Sequence, residues 1–157
     1  MKAKVIPRIF NTPKSTLEDK LPLDTPYSVH IDICSICNFK CNFCFQSDSQ
    51  AMKKKGYKYG SMSLELFKKI TDDLTKFNHR MRKVKIGLHG EPTLHPKLPE
   101  MIRYMKSKNV TDIIELFTNG SLLNPKLNKE LINAGLDRVN FSIEGLTSEK
   151  YKEVTGT

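Results

Sequence analysis

Four times along this chain, apolar residues at every second position give way to a polar, turn-rich loop and then to apolar residues at helical spacing. That repeat constrains the fold more than any other feature. Strands alternating with helices, at the ~30 residues or more that a βαβ unit takes, imply right-handed crossovers and a parallel sheet. The first strand is read from Tyr27, Val29, Ile31 and Ile33, alternating with Ser28, His30 and Asp32. The second is read from Val84, Ile86 and Leu88, the third from Asp112 to Phe117, and the fourth from Val139, Phe141 and Ile143. Between them, Ser63 as N-cap opens a helix carrying Leu64, Phe67, Ile70 and Leu74, and a second helix holds Leu98, Ile102 and Met105. A third starts near Pro125, carries Leu127, Leu131 and Ile132 and stops at Gly135, and a short fourth begins near Thr147. Residues 1–26, with Pro7, Pro13, Pro22 and Pro26, read as an extended lead-in, and residues 27–157 as one domain.

Composition narrows the class without naming it. Of 157 residues, 38% are hydrophobic and 27% charged, which is ordinary for one globular core. No apolar run is long enough for a membrane span, and the amino terminus lacks the apolar core and cleavage site of a signal peptide, so the expected location is cytoplasmic. The formal net charge of +9 would suit a polyanion, but Lys and Arg are spread along the chain, which argues against a nucleic-acid partner. The densest run, Lys53, Lys54 and Lys55 with Lys58, is read as a solvated loop.

All four cysteines lie between Cys34 and Cys44, too close together for a secreted disulfide framework, and so they read as metal ligands. Cys37, Cys41 and Cys44 have the spacing C-x3-C-x2-C. Three thiolates on a [4Fe-4S] cluster leave one iron open, and an open position is what separates catalytic metal sites from closed structural ones. Cys34 leaves an alternative standing, because four thiolates would make an electron-transfer cluster or a zinc site. Zinc ribbons separate their ligand pairs by a dozen or more residues, however, and bacterial ferredoxins order their spacings differently. Cys34 is therefore read as a buried spectator thiol.

Parallel βα folds build their sites from the loops after the strands. The cysteines follow strand one, His89-Gly90-Glu91-Pro92 strand two and Thr118-Asn119-Gly120 strand three, while Ser142-Ile143-Glu144-Gly145 ends strand four. All four loops should converge on one face.

The cysteine spacing directly after a strand, with Phe43 before the last cysteine and these loops in this order, resembles the signature of the radical S-adenosylmethionine (radical SAM) superfamily. The resemblance runs from about Val29 to Gly156 and implies an α/β fold of four βα units of a parallel, partial TIM-like barrel. It implies a [4Fe-4S] cluster on Cys37, Cys41 and Cys44, with S-adenosyl-L-methionine chelating the fourth iron and cleaved by an electron to a 5'-deoxyadenosyl radical that abstracts substrate hydrogen. By the same resemblance Phe43 lies near the adenine and the backbone at Phe45 contacts it. Gly90, Glu91 and Pro92 match the stretch whose backbone atoms and glutamate engage the methionyl amino group, a carboxylate suiting an ammonium. Asn119 and Ser142 fall where members contact the ribose or carboxylate of the cofactor, and Glu144 stands in for an acidic residue common there. The family's first glycine is His89 here, read as packing or as a base touching substrate; Asn119 as a turn cap and Glu144 as a helix start remain the plain readings.

Family cores usually have six such units. The stop after the fourth suggests a fragment or completion by association, with an exposed edge and a largely apolar inner face. The closing segments look most like the branch with a downstream SPASM-type cluster domain. The expected partners are a peptide, protein or small-metabolite substrate and an external electron donor such as flavodoxin or ferredoxin. A molybdopterin-type cyclase or an RNA-modifying member is the enzymatic alternative. No residue is assigned to hydrogen abstraction itself, which belongs to the cofactor.

Overall fold

The computed structural model describes residue 18 and residues 21–157, so most of the expected lead-in lies outside the described residues. Four strands, β1 (Ser28–Ile31), β2 (Met81–Ile86), β3 (Thr111–Thr118) and β4 (Arg138–Phe141), pair in chain order and all in parallel. The sheet is not closed, and β1 and β4 are its edges. Among the described residues five α-helices accompany it: α1 (Ser49–Lys54), α2 (Leu64–Leu74), α3 (Leu98–Lys108), α4 (Pro125–Ala134) and α5 (Ser148–Thr155).

The helix limits follow from side-chain chemistry. Ser63, Asn124 and Thr147 are the N-caps of α2, α4 and α5, each accepting from backbone N–H groups of the first turn. Gly135 ends α4 at φ 91°, a left-handed conformation that costs a side chain dearly. α3 packs between α2 and α4. Phe67, Met101, Ile102, Met105 and Leu131 close on Val84, Ile86, Ile114 and Leu116, one face of the sheet, where burial stabilises by ~1.5–3 kcal/mol per large side chain.

Three expectations need correction. The strands stop short of Ile33, Leu88 and Ile143, which lie in the loops beyond them. The lysine run is only partly a loop: Lys53 and Lys54 form the last turn of α1, whose first turn is capped by the Asp48 side chain, Lys55 and Lys58 follow the helix, and all four are exposed as expected. The inner face is not apolar. Register puts His30 beside Lys85, Lys85 beside Glu115 and Glu115 beside Arg138, a polar row across all four strands. Glu115, 3% exposed, is held by Arg138 Nη1 at 2.5 Å and by Lys83 Nζ at 4.0 Å.

Candidate cofactor site

Strand geometry brings the predicted loops together. Cys37, Cys41, Phe43, Cys44, Gly90, Glu91, Asn119, Ser142 and Glu144 line one pocket beyond the carboxyl ends of the strands, together with Gln46 and His89. Phe45 and Pro92 are not in that lining. Phe45 packs edge to face on His89, 5.4 Å between ring centroids, and on Tyr57 at 5.8 Å. Pro92 is buried at the start of a 3-10 turn, Pro92–Leu94.

The cysteine loop is held from both sides. The end of α5 accepts from it, Lys40 N donating to Thr155 O at 3.0 Å and Asn42 N to Val154 O at 2.9 Å. Phe39 meets Tyr151 edge to face. Across the pocket, the Asn119 amide donates to Asn38 Oδ1 at 2.9 Å and approaches Cys37 Sγ at 4.0 Å.

The loop after β2 joins the other two. Glu91 N donates to Ile36 O at 2.8 Å, and a Cβ on Gly90 would overlap the carbonyl oxygen of Cys34, so only glycine lets the two loops pack so closely. The Glu91 carboxylate, 1% exposed, accepts four hydrogen bonds: from Thr93 N (3.0 Å), Thr93 Oγ1 (2.5 Å), Thr118 Oγ1 (2.6 Å) and Asn119 N (2.8 Å). It ties the second loop to the third. His89 Nδ1 lies 2.7 Å from Asp32 Oδ2, His89 N donates to Asp32 Oδ1 at 3.2 Å, and the Gln46 amide donates to His89 O. Sequence reasoning passed over Asp32 and Gln46, because one is an ordinary polar position of a strand and the other stands in no motif.

Cys34 is 2% exposed, with its thiol aimed at Ile36 O and accepting from Ser61 Oγ, both at 3.6 Å. Two of the other histidines are occupied elsewhere: His95 is buried between Met62 O and Lys97 N, and His79 lies 3.6 Å from Asp24.

Three cysteine thiols lining one pocket are donors of the kind an iron-sulfur cluster takes. Among the described residues no three His, Cys, Asp or Glu side chains converge on a point that would hold one metal ion. Zinc needs four donors at about 2.0–2.3 Å, whereas a cubane takes each thiolate on a different iron, so that the sulfurs surround a volume. Burial pushes the Cys37 thiol up, helped by the negative charges of Glu91 and Cys44 and opposed by the Phe39 N–H. Burial likewise raises Cys41, with Cys37, Cys44 and Glu144 adding to it. Thiols crowded beside one another and beside carboxylates in this way stay protonated alone and give up their protons to a cationic partner.

Parallel βα units with a thiol-lined pocket at their carboxyl end define the class: a cofactor-binding α/β half-barrel. The chain belongs to the radical SAM superfamily, whose family model matches residues 31–157. That family works with a [4Fe-4S] cluster and S-adenosylmethionine. The chain is 32% identical over 142 residues to the tungsten-containing aldehyde ferredoxin oxidoreductase cofactor-modifying protein of Pyrococcus furiosus, covering 80% of this chain and 37% of that one. It is 38% identical over 128 residues to a probable GTP 3',8-cyclase of Methanococcus maripaludis, covering 82% and 40%. Among solved structures, BtrN in complex with AdoMet and 2-DOIA superposes with a TM-score of 0.66 at 19% identity, covering 82% of this chain and 50% of that chain. Native anSMEcpe with bound AdoMet gives 0.61 at 28% identity, covering 82% and 35%. The chain thus spans 37% to 40% of the length of these curated relatives.

Proposed function

We propose that this chain is the radical-generating part of a radical SAM enzyme, with Cys37, Cys41 and Cys44 holding the cluster and the pocket beside them holding S-adenosylmethionine. The observation that carries this reading is one pocket lined by three cysteines and by loops from all four strands, in a chain of this family. When bound, the pair supplies reductive cleavage of the sulfonium, giving a carbon radical that takes hydrogen from an unreactive C–H bond.

The chain's own residues position and shield that chemistry. α5 and Asn119 fix the cysteine loop, Glu91 locks the second loop to the third, and Phe43, 63% exposed, offers a ring face at the pocket. Ser142 and Glu144 supply polar contacts from the end of β4. The four-thiolate readings are disfavoured, because Cys34 is buried in the core with its sulfur turned to Ile36 and Ser61.

The substrate is proposed to be a small metabolite, on the strength of relatives named GTP 3',8-cyclase, with a peptide as the second class. Anaerobic loading with iron and sulfide, then EPR with and without S-adenosylmethionine, tests the reading. A reduced-cluster signal reshaped by S-adenosylmethionine is expected; a signal kept in Cys44→Ala, lost in Cys34→Ala and indifferent to the cofactor overturns it. GTP consumption by the loaded full-length enzyme then tests the substrate class.

A further inference from the structure

The inner face of the sheet carries charge that the cofactor reading does not use. Lys83, Lys85 and Arg138 share that face with Glu115, and three cations against one carboxylate leave an excess of two positive charges. Arg138 and Lys83 are spent on Glu115, at 2.5 Å and 4.0 Å. Lys85 is not. It is half-buried, its ammonium lies 5.7 Å from the centroid of the Phe117 ring, and no carboxylate among the described residues pairs with it. His30, beside it on β1, is exposed and brings no negative charge.

A second donor stands next to the same ring. Register places Asn140 beside Phe117, and Asn140 Nδ2 is buried with no hydrogen-bond partner. A buried donor left unmatched is costly, and so is an ammonium drawn out of water without a counter-ion. An anion held by both would offset both costs. Phe117, the ring they flank, also lines the cofactor pocket. A cleft along β4, lined by Asn140, Ser142 and Glu144 among others, shares Phe117 with that pocket. The two donors therefore stand where a substrate placed beside S-adenosylmethionine would lie.

We propose that Lys85 and Asn140 bind the phosphate group of a phosphorylated small-metabolite substrate, on the inner face of the sheet next to the cofactor pocket. A carboxylate brings one negative charge, whereas a phosphate monoester brings about 1.5 to 2 at neutral pH, which matches the excess on this face. Its oxygens accept from the ammonium and from the amide N–H₂, and neither donor gives up a protein partner to reach them. This assignment deepens the small-metabolite reading above and rests on it.

The test is calorimetry on the cluster-loaded full-length protein in the presence of S-adenosylmethionine. Phenyl phosphate and benzoate are the probes, because they share a ring and differ in the anionic group. Phenyl phosphate is expected to bind the more tightly. Lys85→Met keeps the stem over Phe117 but removes a charge-assisted hydrogen bond, so it should weaken phenyl phosphate about ten- to a hundredfold at unchanged iron content. Lys85→Arg should recover most of that affinity, which a merely structural role would not predict. Asn140→Asp is isosteric and sets a negative charge at the site, and it too should weaken phenyl phosphate.

The proposal is overturned by equal affinity of the unaltered protein and Lys85→Met for phenyl phosphate, by tighter binding of benzoate, or by no binding of phenyl phosphate at all. If Lys85→Met loses iron, Asn140→Asp decides: unchanged affinity for phenyl phosphate overturns the proposal. GTP and guanosine, titrated into the same protein, keep the substrate reading apart from the site. Tighter binding of GTP than of guanosine, lost in Lys85→Met, supports both. Binding of phenyl phosphate through Lys85 without binding of GTP supports the site and overturns GTP as the substrate.

Discussion

Glu91 and Gly90 show how two residues fix the loops around a site. Glu91→Gln would turn an amide N–H₂ towards donors that now share a carboxylate, and leaving buried donors unmatched costs about 1–3 kcal/mol. Urea unfolding of the apo-protein should register that loss, together with faster amide exchange at Asn119. Gly90→Ala forces a methyl group against the backbone oxygens of Cys34 and Ile36, and a strain of about 1–3 kcal/mol should appear both as a lower melting temperature and as reduced iron content. The motif itself was legible in the sequence as Gly-Glu-Pro. The direction of the carboxylate was not, since burial and partners from Thr118 are tertiary facts. The same limit hid the pairing of Asp32 with His89. At the thiols, burial and neighbouring carboxylates hold Cys37 and Cys41 above their ordinary value of 9.0. A raised folded value favours the neutral thiol, so the apo fold keeps that contribution below pH 9.0 and loses it as the pH climbs through the folded values. Iron must displace those protons, and cluster uptake should therefore rise with pH from 7 to 9, with proton release measurable in weakly buffered solution.

At the scale of elements, period and caps were enough for most of the fold. Leu64, Phe67 and Leu74 behind Ser63 predicted α2, and Pro125 to Gly135 predicted α4, because helical spacing and capping act locally. α1 was missed since none of its residues is buried and no apolar period marks it; Asp48, its cap, was the available signal. Ile132 misled in the opposite direction, since it is 70% exposed although it sits beside the buried Leu131. The caps and the site are separable. Asn124 accepts from Lys126 N and Leu127 N, so Asn124→Ala should cost about 1 kcal/mol in thermal unfolding. Because α4 has no residue in the pocket, the iron content of that variant should match the unaltered protein. Substitutions at the end of α5, which holds the backbone of Lys40 and Asn42, should do the reverse and lower iron content more than stability.

For the molecule as a whole, the two faces of the sheet obey different rules, and only one was readable from pattern. Val84, Ile86, Ile114 and Leu116 announced the helix-covered face by their period. The other face was expected to be apolar by analogy with barrels whose interiors are filled by branched side chains. Instead it carries His30, Lys85, Glu115 and Arg138 in one register row, with Lys83 on the same face and the Lys85 ammonium over the Phe117 ring. A buried carboxylate is tolerated only while its cations stay. Arg138→Met removes the partner at 2.5 Å and leaves Glu115 with Lys83 at 4.0 Å, and stranding such a charge costs about 3–5 kcal/mol when no other partner remains. With Lys83 still near, a loss of about 2–3 kcal/mol is expected from chemical denaturation at neutral pH. Glu115→Gln with Arg138→Met removes the stranded charge along with its partner, so the double variant should be more stable than Arg138→Met alone. Additive losses in that cycle would mean that the row is solvated and that the polarity of this face places no constraint on the fold.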